Sequence, residues 1–170
     1  MRLIFALLRH LLALAGLAAL IEKLFGRPID WLPPRPPEVD RWLECERGSG
    51  DSCTRTIGYA GGTIEVNGHI LTIPEGAVDR GRNIQFTLRE AATRQLLVIV
   101  TAAGPFKGTV DLTLSYARCR EKLPPPGTRL AVWRFRTQDG WQFLGGEVDS
   151  RTLTITVRNT GISRFAIAEQ

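Results

Sequence analysis

Outside its first apolar stretch, the chain's most reactive side chains are one histidine, His69, and three cysteines, Cys45, Cys53 and Cys119. A histidine acting as general base needs a nucleophile within reach, and one acting as metal ligand needs further ligands at fixed spacing. The cysteines are not spaced as a zinc site, and neither Gly-x-Ser-x-Gly nor His-Glu-x-x-His occurs. Glu75, Asp79 and Glu147 supply carboxylates, yet no pairing singles them out. His69 follows Asn67-Gly68, a hairpin-turn dipeptide, and is expected at a surface or hairpin edge. Gly61, Gly62 and Gly76 invite a phosphate-loop reading, but no helix follows them to supply an amide-lined N-terminus. They suit turns and close backbone approach, and Pro74 suits the end of a strand. The chain is therefore expected to be non-catalytic, with no metal and no cofactor.

A second chemical pattern is Leu130 to Arg136, LAVWRFR, which interleaves aromatic and basic residues. On a strand, Trp133 and Phe135 share one face and Arg134 and Arg136 the other. Outward rings would stack on bases or sugars. The expectation here is rings in the core and the two arginines on a solvated face, which makes Arg134 and Arg136 the candidate binding face. Trp141 and Phe143 repeat the two-residue spacing and are expected to pack across from these rings on the next hairpin arm. The net charge of +5, from 22 Lys+Arg against 17 Asp+Glu, is mild and scattered, so no nucleic-acid partner is expected.

The elements that must position these residues read as strands. Apolar residues make up 44% of the 170-residue chain and charged residues 23%, a globular composition. From Thr54 onward the hydrophobic period is two. Thr63–Val66 and Ile70–Ile73 flank Asn67-Gly68, while Ile84, Phe86 and Leu88 alternate with polar neighbours. The same holds for Val110, Leu112, Leu114 and Tyr116, and for Leu153, Ile155 and Val157. Leu96–Val100 is a continuous apolar run, as for a strand covered on both faces. Pro124-Pro125-Pro126-Gly127 breaks the chain between two halves. The pattern predicts an all-β fold, an antiparallel β-sandwich of about eight to ten short strands, with a barrel as the alternative.

Upstream, Leu3–Ile21 is apolar except for Arg9 and His10. As a helix it would span about 28 Å, close to a hydrocarbon core of roughly 30 Å. Residues 1–26 are read as an uncleaved signal-anchor or a cleaved signal peptide, with Arg2 and Arg9 keeping that end cytoplasmic. Either reading places the remainder outside the cytosol, in the cytoplasmic membrane or exported to the periplasm or cell surface. Residues 27–42 hold five of the ten prolines, a semi-rigid extended linker. Residues 43–170 form the predicted domain.

Thr56 to Val78, TIGYAGGTIEVNGHILTIPEGAV, resembles the opening of the ZU-five domain of ankyrins, netrin receptors and zonula occludens proteins. Gly61-Gly62 match its paired glycines, and Leu71 to Ala77, including Pro74 and Gly76, match its L-x-I-P-x-G-A element. Leu112 to Cys119, LTLSYARC, is similar to a strand of the bacterial secreted and lipoprotein versions. Gly161 to Ala166, GISRFA, partly matches their closing H-F-S-x-Y/F-A strand. Gly104 to Thr109 departs from the family's usual F-x-x-P-V. The likeness implies a sandwich that binds an envelope protein or glycan, with a self-processing or enzymatic domain and a carbohydrate-binding module as alternatives. Some eukaryotic relatives cut themselves at H-F-S. Ser163 holds the nucleophile's place, but Gly161 and Ile162 stand for the His and Phe, so no cleavage is expected and Ser163 is expected to point into the sandwich.

Three cysteines allow one internal bridge, and by spacing alone Cys45–Cys53, Cys45–Cys119 and Cys53–Cys119 all remain open. The bacterial relatives carry one cysteine ahead of the first strand and one after S-Y, which implies Cys45–Cys119. Chain entropy gives such a long loop roughly 4 to 5 kcal/mol, against about 2 to 3 for the short one.

Overall fold

A computed structural model describes residues 41–125 and 127–170. The predicted anchor, the linker up to residue 40 and Pro126 of the proline break lie outside the described residues. Among those described, no helix is long and apolar enough to cross a membrane.

Twelve strands make up about half of the described residues. They are β1 (Arg41–Trp42), β2 (Ser52–Ile57), β3 (Gly62–Val66), β4 (His69–Ile73), β5 (Ile84–Glu90) and β6 (Leu97–Ala102). After β7 (Val110–Ser115) and a 3-10 turn at Ala117–Lys122 come β8 (Leu130–Arg136), β9 (Gly140–Gly145), β10 (Glu147–Asp149), β11 (Thr154–Thr160) and β12 (Arg164–Glu169). The larger sheet runs β2-β5-β6-β12-β8-β9, with β1 also on β12; the smaller runs β10-β11-β7-β4-β3. All recorded strand pairs are antiparallel. The all-β sandwich of the sequence reading is what forms.

Period-two patterning explains the layering, because alternate side chains of a strand point to opposite faces. Ile64, Val66, Leu71, Ile73, Leu112, Leu114 and Ile155 from the smaller sheet join one apolar cluster with Phe86, Leu88, Val98, Val100, Val132, Phe165 and Ile167 from the larger. The β3–β4 hairpin turns through Asn67 at φ 51° and Gly68 at φ 78°, the paired positive φ values of a type I′ turn. Gly61 sits at φ 71°, and a Cβ there would stand 2.4 Å from the Ile73 carbonyl oxygen. Gly62 lies against the Ile57 side chain, Gly76 turns at φ 81°, and Pro74 follows the end of β4. These four motif residues shape the entry to and exit from one hairpin.

Cys45 and Cys119, 74 residues apart, are joined in a disulfide, and both are fully buried. Cys53 is the free cysteine, half-buried on β2 opposite Leu88. Replacing Cys119 with Ser should cost about 4 kcal/mol of stability in a urea titration. Non-reducing peptide mapping should recover Cys45 linked to Cys119 with Cys53 unpaired. Equal stability of the two proteins would contradict this account.

Candidate functional site

Two places concentrate chemistry that the core does not need. The first is a buried polar corner beside the disulfide. Residues 43–48 run along the β5–β6 connection, with Cys45 N–H donating to Arg94 O at 2.8 Å and Gly48 N–H to Thr93 O at 3.0 Å. A Cβ at Gly48 would lie 2.3 Å from the Ala91 carbonyl oxygen, so the chain passes there only as glycine. From the other side, Arg118 in the 3-10 turn donates to the carbonyls of Glu46 and Gln95. Its Nε meets Glu90 Oε1 at 2.5 Å as an ion pair rather than an aligned hydrogen bond.

Glu90 is only 2% exposed. Its Oε2 accepts from Asn67 Nδ2 at 2.7 Å and from the Ser49 hydroxyl at 3.5 Å. His69 Nε2 faces Oε1 at 3.8 Å, while its Nδ1 accepts the Ser115 backbone N–H at 3.0 Å. An Nδ1 that accepts leaves the ring proton on Nε2, aimed at the carboxylate. Burial alone would raise the Glu90 pKa; contact with His69, the Asn67 amide and the Arg118 charge outweigh it and hold the group down at about 2.

The edge position expected for His69 is thus corrected: the side chain is 1% exposed. It shares the strand face of Leu71 and Ile73, with Nδ1 hydrogen-bonded inside and Nε2 facing the Glu90 carboxylate. A cavity of about 350 Å³ is lined by Ser49, Asn67, His69, Glu90, Ser115 and Arg118. Both His69 nitrogens face partners, the Ser49 hydroxyl donates to Glu90, and Ser115 Oγ accepts from Ala117 N–H at 3.4 Å. The groups hold one another rather than arming a nucleophile.

The second place is the face of the larger sheet turned away from the smaller one. Arg134 pairs with Phe165, and Val132 with Ile167, so these positions face the core side. Trp133 and Phe135 therefore face outward, which corrects the expectation that both rings enter the core. Apolar residues occupy both parities of β8, and pairing with β12 decides which set is covered. Trp133 is buried nonetheless, edge-on to Phe143 with ring centroids 5.4 Å apart. Phe135 and Trp141 lie 5.4 Å apart and Trp42 and Trp141 4.7 Å apart, so packing across the hairpin arm is as expected. Trp42, Phe135, Trp141 and Phe143 keep part of their surface open.

Arg134 and Arg136 do not share this aromatic face. Arg134 is half-buried, reaches Gln142 Oε1 at 3.4 Å, and has its pKa lowered by burial and by the Arg136 charge. Arg136 is exposed at the end of β8. Arg164 does belong to the outer face, and its guanidinium lies 5.6 Å from the Phe135 ring centroid. Ser163 is half-buried, and its hydroxyl donates to the Phe135 carbonyl.

The two outer faces differ in charge. Outward strand positions of the larger sheet hold Arg89 and Arg164 and, among the described residues, no carboxylate. Those of the smaller sheet hold Glu65, Asp111, Glu147 and Asp149, with Arg158 reaching Asp111 at 3.8 Å and Glu147 at 3.6 Å.

Glu90 sets an acid limit. A pKa of about 2 against an ordinary 4.5 means its stabilisation is present above pH 4.5 and is lost as pH falls through 2. That loss is on the order of 3 kcal/mol. Glu90→Gln should be less stable than wild type at pH 7 by about 3 kcal/mol, and the gap should close toward pH 2 in urea titrations. A gap that stays constant with pH would refute the assignment. With the Ser163 hydroxyl committed to Phe135, intact-mass measurement should show one uncut species; fragments split between Ile162 and Ser163 would refute that.

No protein-family model matches the chain, and no curated protein matches it.

Proposed function

We propose that this chain is a non-catalytic, ZU-five-like interaction module, anchored in or exported across the cytoplasmic membrane, which engages a glycan or protein of the cell envelope. The observation that carries the proposal is the outward aromatic cluster. Indole and phenyl rings left half-open on a sheet face, away from the core, are the side chains most enriched at binding surfaces. The Cys45–Cys119 bridge supports the address, because disulfides persist in oxidising compartments. It is also the pairing that the resemblance implies. The mutual pairing of His69, Glu90, Asn67 and Arg118 in one corner supports a structural rather than catalytic use of those residues.

The experiment compares the full chain with its Trp141→Ala variant. Purified protein is incubated with detergent-solubilised envelope, and a component retained by wild type should be lost from the variant at least tenfold, about 1.4 kcal/mol or more. Equal retention by two folded proteins would remove the aromatic face from the proposal.

A further inference from the structure

The charges of the outer face lie in a line. Arg89 on β5 pairs with Ile99 on β6, Ile99 with Arg164 on β12, Arg164 with Phe135 on β8, and Phe135 with Trp141 on β9. One cross-strand row therefore reads Arg89, Ile99, Arg164, Phe135, Trp141, running at right angles to the strands on a single face. Neighbouring strands are about 4.8 Å apart, so the two guanidinium-bearing positions are roughly 10 Å apart and the row is about 19 Å long. Arg89 and Arg164 are exposed, while Ile99, Phe135 and Trp141 are half-open. One step along the strands, Thr54, Thr87 and Thr101 of β2, β5 and β6 form a strip of hydroxyls. On the opposite side Leu97, Ala166, Trp133 and Phe143 form an apolar bank.

We infer that this row is the binding track of a linear anionic glycan, a polymer of sugar rings with carboxylates recurring along it. This deepens the interaction role proposed above and rests on it. The guanidinium groups pair with carboxylates by charge-assisted, bidentate hydrogen bonds. Ile99, between the two arginines, and Phe135 and Trp141, beyond Arg164, take the apolar faces of sugar rings, and the threonines bond sugar hydroxyls. Two cations about 10 Å apart reach the carboxylates of every second ring, whereas a nucleic-acid strand draws its affinity from neutralising many phosphates at once. The Thr54 and Thr87 hydroxyls bond each other at 2.7 Å. The hydrogen-bonding capacity this row has left would be stripped of water in a bilayer but is met by sugar hydroxyls. The absence of outward carboxylates among the described residues of this sheet removes the repulsion that the acidic opposite face would impose.

The test uses the full chain in detergent, with tryptophan fluorescence and retention on immobilised polymer as readouts. The probes are sodium polygalacturonate, neutral dextran and a single-stranded thymidine oligonucleotide. The inference expects polygalacturonate to bind, added salt to weaken it, and dextran to bind at least tenfold less tightly. Arg89→Glu and Arg164→Glu should each weaken polygalacturonate binding about tenfold. Because both residues are exposed, the thermal midpoint should be unchanged, which separates lost binding from lost fold. Dextran binding as tight as polygalacturonate, or a double charge reversal without effect, would overturn the anionic track. Tighter binding of the oligonucleotide would overturn it in favour of a nucleic-acid partner. Failure of all three probes would also overturn it. The envelope interaction would still stand if the Trp141-dependent retention persisted.

Discussion

A carboxylate sealed from water must be held by partners or must give up its charge, and Glu90 is held. Its partners come from separate parts of the chain: Asn67 and His69 from the β3–β4 hairpin, Ser49 from the entering segment, Arg118 from the 3-10 turn. Arg118 in turn fixes the carbonyls of Glu46 and Gln95, and its neighbour Cys119 is bonded to Cys45. One buried negative charge thus sets where a hairpin turn, a loop, a strand end and a crosslink meet. The disulfide limits how far these pieces can separate, and the carboxylate decides how they are oriented when together.

This corner also explains the two characters of the molecule. Glu90, His69 and Arg118, polar groups that would be costly apart in the core, are gathered and paired at one end. The sheet faces are left free for surface chemistry, aromatic and cationic on one side, acidic on the other. The larger sheet buries apolar residues on its inner face and carries a separate cluster of rings on its outer one. A sheet that is apolar on both faces over part of its area has more than folding to explain it.

Much of this was legible in the sequence. Asn67-Gly68 fixed a turn by its need for positive φ, and strict alternation gave β5, β7 and β11. Alternation also marks two polar positions for burial. Glu90 continues the inward set Ile84, Phe86 and Leu88, and His69 shares the parity of Leu71 and Ile73, so both were marked for burial by position. What could not be read is who meets them, because Arg118 lies in a short turn without periodicity and its partners are distant in sequence. The face of Trp133 and Phe135 was hidden for another reason. Both parities of LAVWRFR are apolar in part, and only pairing with Phe165 and Ile167 settles which side is covered.

The placement of β12 has a consequence for how the chain comes together. It is the last strand described, yet it lies between β6 and β8 in the middle of the larger sheet, and also carries β1. While a chain is still emerging from a ribosome or a translocation pore, β6 and β8 cannot yet be bridged, and their hydrogen-bonding edges stand open. The Cys45–Cys119 crosslink, by contrast, can close before β8 exists. Assembly is therefore two-staged by geometry. A covalently closed first half waits with one unfinished sheet, and the arrival of a six-residue strand completes both edges at once. Such a molecule is exposed to misassociation for as long as its final strand is delayed.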